Sequence, residues 1–135
     1  MKATDLMIGD WVMSDNELLK VSDILRYRIY AHDAVGYYPI EDLEPILLTG
    51  EILKSNGFEL VSDSDRVTKA FIDLYDLWEC EIISQQTLRL FYDRNSKDYR
   101  LQAFGDNISN IYFVHELQHA MRVCGVKKEI ELCQH

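Results

Sequence analysis

Turn-forming residues interrupt the first 45 positions so often that no long element fits between them, and this spacing constrains the fold more than any other feature. Trp11-Val12-Met13 runs into Ser14-Asp15-Asn16-Glu17, a polar turn cluster. Leu18-Leu19-Lys20-Val21 resumes the apolar pattern, and Arg26-Tyr27-Arg28-Ile29-Tyr30 is β-prone and partly alternating. His32-Asp33 marks a further turn, and Val35-Gly36-Tyr37-Tyr38 follows. Strands this short do not bury a face as a flat sheet; they curl.

The expectation is therefore an α+β chain that opens with a small SH3-like β-barrel over residues 1–45. Residues 46–135 form a second α+β subdomain of the same compact unit. Thr49 reads as the N-cap of a helix over Gly50–Asn56, because its hydroxyl can satisfy an orphan backbone amide. Gly57 closes that helix and Phe58 seals its end. Residues 59–66, with Ser62, Asp63, Ser64, Asp65 and Arg66, carry no apolar period and read as a loop. Strands are expected at Ala70–Tyr75, Trp78–Ile83, Thr87–Tyr92 and Tyr99–Phe104, with a hairpin loop at Asp93–Asp98. They make an antiparallel sheet. A helix from Asn110 to Cys124, capped by Ser109 or Asn110 and stopped by Gly125, packs on it through Ile111, Val114, Leu117, Met121 and Cys124. Glu129-Ile130-Glu131-Leu132 alternates as an edge strand would.

The chain has 14 Lys and Arg against 23 Asp and Glu, a net charge of −9. Hydrophobic residues at 47% exclude a disordered chain, and the acidity argues against binding a nucleic-acid backbone. The acidic runs, Glu41-Asp42 with Glu44 and Asp63 with Asp65, are too short to favour mimicry of nucleic acid. A secretory signal needs about 7–15 apolar residues after a basic start, and Asp10 and Asp15 interrupt any such stretch. No run approaches the roughly 20 apolar residues of a membrane helix, so a cytoplasmic protein is expected. Cys80, Cys124 and Cys133 are odd in number and lack metal-knuckle or redox spacing. They read as reduced thiols, and a Cys124–Cys133 bridge does not suit a reducing compartment.

His115-Glu116-Leu117-Gln118-His119 matches HExxH. On a helix, residues i and i+4 share a face, so His115 and His119 would both reach one zinc ion. Glu116 would then act as general base on the metal-bound water. Against this, Arg122 and Gly125 stand where the extended motif has its glycine and third histidine. Glu129, Glu131, Cys133 and His135 remain on the tail, at no established ligand spacing. Arg122 lies beside both histidines, where a guanidinium opposes a dication. Helical geometry also turns the His115/His119 edge away from the Val114–Leu117–Met121 stripe, toward solvent or a thin cover. The favoured reading is a surface-facing histidine pair on a structural helix, with no catalytic residue, no metal ligand and no cofactor. Val114, Leu117, Gln118 and Met121 carry that helix, Gln118 by bonding the backbone of a neighbouring strand.

Three stretches carry a resemblance that spans nearly the whole chain: Leu6-Met7-Ile8-Gly9-Asp10-Trp11-Val12; Leu43-Glu44-Pro45-Ile46-Leu47-Leu48-Thr49 running into Glu51-Ile52-Leu53 and Asn56-Gly57-Phe58; and Val114-His115-Glu116-Leu117-Gln118 with Gly125 and Glu129-Ile130-Glu131-Leu132. The chain resembles a family of small uncharacterised proteins from phages and mobile elements of gut anaerobic bacteria. The shared core of the third stretch is His-x-Leu-Gln. The resemblance implies that Glu116 and His119 arose by drift on a structural helix, and it implies no activity.

Two functional classes follow. The leading one is a non-enzymatic binding module with a protein partner, anchored by Tyr27, Tyr30, Tyr37 and Tyr38 beside Trp11. The alternative is a small zinc-dependent metallopeptidase using His115, Glu116 and His119.

Overall fold

The computed structural model describes residues 1–61, 69–82 and 86–132. The expectations for residues 62–66, Ile83, Cys133 and His135 lie outside these residues. The side chains of Lys69, Ala70, Ile72, Ile82 and Gln86 lie outside them too.

Four strands form the first sheet, in the order β1 (Trp11–Ser14), β2 (Glu17–Leu25), β3 (Arg28–Ala31) and β4 (Tyr38–Pro39), all antiparallel. The turn between β1 and β2 is Asp15-Asn16, both at positive φ, which those short polar side chains tolerate. β2 slips register between Val21 and Asp23, and this irregularity lets one strand serve two halves of a curled sheet. Val12, Leu19, Val21 and Ile29 point inward and make a small core with Leu6, Ile40 and Leu43. A short 3-10 turn at Ile40–Asp42 brings the chain back so that Glu44 bridges Met13 on the free side of β1.

Helix α1 (Gly50–Ser55) is capped by Thr49, whose Oγ1 accepts from the Ile52 amide at 3.3 Å. Gly57 follows at φ +86, the left-handed conformation a helix end requires. Phe58 is fully buried behind it.

The second sheet has the order β5 (Glu59–Leu60), β6 (Tyr75–Ile82), β7 (Gln86–Asp93), β8 (Asp98–Ala103) and β9 (Asp106–Ile111), again antiparallel throughout. Leu88, Leu90 and Leu101 line its inner face with Leu53, Phe58 and Ile111. Helix α3 (Val114–Val123) lies on that face through Val114, Leu117 and Met121. No helix among the described residues is long and apolar enough to cross a membrane.

Four expectations are corrected. The segment expected as a strand from Ala70 is helical over Lys69–Leu74 (α2), and β6 begins only at Tyr75. Phe71 and Tyr75, four residues apart, meet at a tilt with ring centres 4.9 Å apart, and Phe71 also meets Phe91 edge-on at 5.4 Å. Glu59-Leu60, expected in a loop, pairs with Trp78 and Glu79 as an edge strand. The last helix starts at Val114, not Asn110. Asp106–Ile111 is spent on β9, and Asn110 sits at φ +60, outside any right-handed helix. Glu129–Leu132 forms no strand. Asn56 holds it instead: its Oδ1 accepts from the Glu131 amide at 2.8 Å, and its Nδ2 donates to the Glu131 carbonyl at 3.0 Å.

Candidate functional site: the docked face of helix α3 and the tyrosine groove

Helix α3 is started by its neighbours. The Leu48 amide donates to the Tyr112 carbonyl, and the Val114 amide donates to the Ile46 carbonyl, so the chain is extended up to Phe113. Glu116 then folds back: its Oε1 accepts from the amides of Tyr112 and Phe113, both at 3.0 Å. This is the glutamate half of a capping box, and it satisfies two amides that a helix start leaves bare. The residue that the motif offers as a general base thus has one carboxylate oxygen on two backbone donors.

The other side of α3 meets the segment that enters β1. Gln118 accepts from the Trp11 amide at 2.9 Å and donates to the Gly9 carbonyl at 2.9 Å. His119 Nε2 lies 2.6 Å from Asp10 Oδ2, and Arg122 Nη1 donates to Asp10 Oδ1 at 2.9 Å. The Met7 amide also donates to Asp10 Oδ2, at 2.8 Å. Asp10 is completely buried, yet these three donors surround it, which is the condition under which a carboxylate tolerates burial. Gly9 is at φ +94, and a Cβ there would come within 3.1 Å of the Arg122 guanidinium. Only glycine gives both the turn and the close approach. The Trp11 indole crosses to the second core and donates to the Ile130 carbonyl at 2.9 Å.

His115 is 7% exposed, which corrects the expectation of a surface-facing pair. Its ring stacks on Phe113 and meets His119 edge-on at 5.6 Å. Burial pushes its pKa down from the ordinary 6.5, and the nearby Asp10 carboxylate only partly offsets this. Amphipathic reasoning allowed α3 one burying surface. It has two, because the second sheet takes the apolar stripe and residues 7–11 take the polar one.

His115, Glu116 and His119 border an open cavity of about 470 Å³ with Asp5 and Pro45. Two of these residues are already engaged by the fold. His119 presents Nε2 to Asp10, and Glu116 caps the helix. Among the described residues, no three His, Cys, Asp or Glu are arranged to hold a metal.

A second concave surface lies on the first sheet, a groove of about 890 Å³ between the β2–β3 turn and β4. Tyr27 and Tyr37 stand on it, 82% and 55% exposed, and Leu25, Pro39, Arg26 and Arg28 line it with them. The Arg28 guanidinium lies 5.0 Å from the Tyr37 ring centre and 5.9 Å from that of Tyr30. Of the four tyrosines singled out in the sequence, Tyr30 and Tyr38 are half-buried. Tyr38 hydrogen-bonds Glu17.

Sequence reasoning missed Asp10 and Asn56 as organising residues. Asp10 had one signal, its place between a glycine and a tryptophan in a short entry to a strand. Compared with known protein families, with curated proteins and with solved structures, the chain matches none of them.

Proposed function

We propose that the protein is a non-enzymatic interaction module that engages a protein partner through the groove on its first sheet. The observation that carries this reading is the exposure of Tyr27 and Tyr37 on one concave surface. Large aromatics with a polar edge anchor interfaces, and their exposure is unexplained by either core. The sheet itself reads as an SH3-like barrel. Support comes from the order Glu44–β1–β2–β3–β4, from the 3-10 turn before the returning segment, and from the irregular β2 shared by two halves. Taken with the resemblance to phage and mobile-element proteins, the reading is of a cytoplasmic modulator that works by occupying a host protein surface.

The helix motif belongs to the architecture in this reading, since Glu116, Gln118 and His119 are each engaged by backbone or by Asp10. Two measurements test the proposal. Metal analysis of tag-free protein is expected to find no stoichiometric zinc; one equivalent, lost on His119→Ala, would reverse the ranking in favour of the peptidase. A photo-crosslinking amino acid at position 27, in the cells that carry the gene, is expected to trap one discrete partner. The same probe at exposed Leu74 should not. Equal, diffuse labelling at both positions removes the interaction reading.

A further inference from the structure

The arginines of this chain are not distributed alike. Arg89 holds Glu79, Arg94 holds Asp76, Arg100 holds Asp93, and Arg122 holds Asp10. Arg26 and Arg28 hold no carboxylate among the described residues, although acidic residues outnumber basic ones by 23 to 14. Both border the tyrosine groove, with Lys2 nearby, and Glu41 is the carboxylate beside them. In a chain so rich in acid, two unpaired guanidiniums at one apolar groove mark a place where negative charge is to be supplied from outside.

The backbone points the same way. Arg26 opens the two-residue turn between β2 and β3 at φ +38. Such a position favours glycine or asparagine, and the turn at Asp15-Asn16 obeys that preference. An arginine held in the left-handed region is strained, and Arg26 and Tyr27 are both exposed at this turn.

We infer that the groove takes an acidic, apolar segment of a partner protein. This deepens the proposed interaction function and rests on it. Two carboxylates of the segment meet Arg26 and Arg28, where a guanidinium fork offers paired donors. An aliphatic or aromatic residue between them packs on Tyr27 and Leu25. A nucleic-acid strand is disfavoured, because the charge of −9 repels an extended polyanion beyond the groove.

The test selects a randomised library of twelve-residue peptides on the intact chain and measures the selected peptide by fluorescence polarisation. Enriched peptides are expected to carry two or more Asp or Glu flanking Leu, Ile or Phe. Binding should fall at least tenfold in the Arg26→Glu, Arg28→Glu double variant, with the melting curve unchanged. Arg28→Lys, which keeps the charge but loses the planar fork over the tyrosines, should weaken binding by more than about threefold, yet less than the double variant does. Replacing the peptide's acids with Lys should restore binding to the double variant. A basic or neutral consensus, or binding indifferent to the charge reversal, overturns the inference while leaving a position-27 adduct, and the module, intact. Displacement of the peptide by oligothymidine at matched charge overturns it in favour of a polyanion. Sedimentation that finds a dimer dissolved by the double variant assigns the groove to a second copy instead. A missing position-27 adduct removes the module and the inference together.

Discussion

At the scale of single residues, the fold engages most of the HExxH pattern, while the buried His115 Nδ1 has no hydrogen-bond partner. His115 is buried, Glu116 caps, Leu117 fills the core, Gln118 bridges to Gly9 and Trp11, and His119 meets Asp10. Asp10 is the centre of that arrangement. Asp10→Ala should cost about 3 kcal/mol, since removing one partner of a buried pair strands the others, and denaturant melts measure it. His115 gives a pH dependence whose sign is fixed by its lowered pKa. The unfolded chain takes up a proton as pH drops through 6.5, whereas the buried neutral ring does not. Stability is therefore expected to fall between pH 7 and pH 5.5, and urea midpoints should show a shallower fall in His115→Phe. Gln118 was legible in the sequence because it flanks the apolar stripe, where a buried amide needs partners. Asp10 was not, because a lone carboxylate carries no mark of burial until its three donors are assembled.

At the scale of elements, patterns succeeded where one residue type sets the outcome. Thr49 and Gly57 bound α1, and alternation through Leu88 and Leu90 places β7 with its inner face on the core. They failed where partners set it. Nothing local stops a helix from starting at Asn110; the pairing of Ile108 with Leu101, and of Ile111 with Tyr99, does. The tail alternates like a strand, yet its backbone is held by the Asn56 amide and the Trp11 indole. Asn56→Ala should free it. Hydrogen exchange is expected to speed at the Glu131 amide and to leave β7 and β8 unchanged.

At the scale of the whole molecule, two cores are joined by few but well-placed bonds. One gathers around Val12, Leu19 and Ile29, the other around Leu90, Leu101 and Leu117. Trp11 has its backbone in the first sheet and its ring against the second core. Its fluorescence, read with Trp78 replaced by Phe, therefore reports the junction. We expect wild-type thermal unfolding to show a single transition by circular dichroism and by tryptophan emission. Gln118→Ala removes both contacts to Gly9 and Trp11, at about 1–3 kcal/mol for the buried groups left unmet. In that variant the emission change should precede the loss of strand signal.

The junction also has a clock. Gly9 and Gln118 are 109 residues apart. At a synthesis rate of 5–20 residues per second, that separation lasts roughly 5–20 s. For those seconds a nascent chain carries Asp10 without its histidine and arginine, and a tryptophan with no core to enter. The first sheet is thus born with its most demanding side chains unanswered. Any holding factor that meets this protein on the ribosome has its reason to bind there.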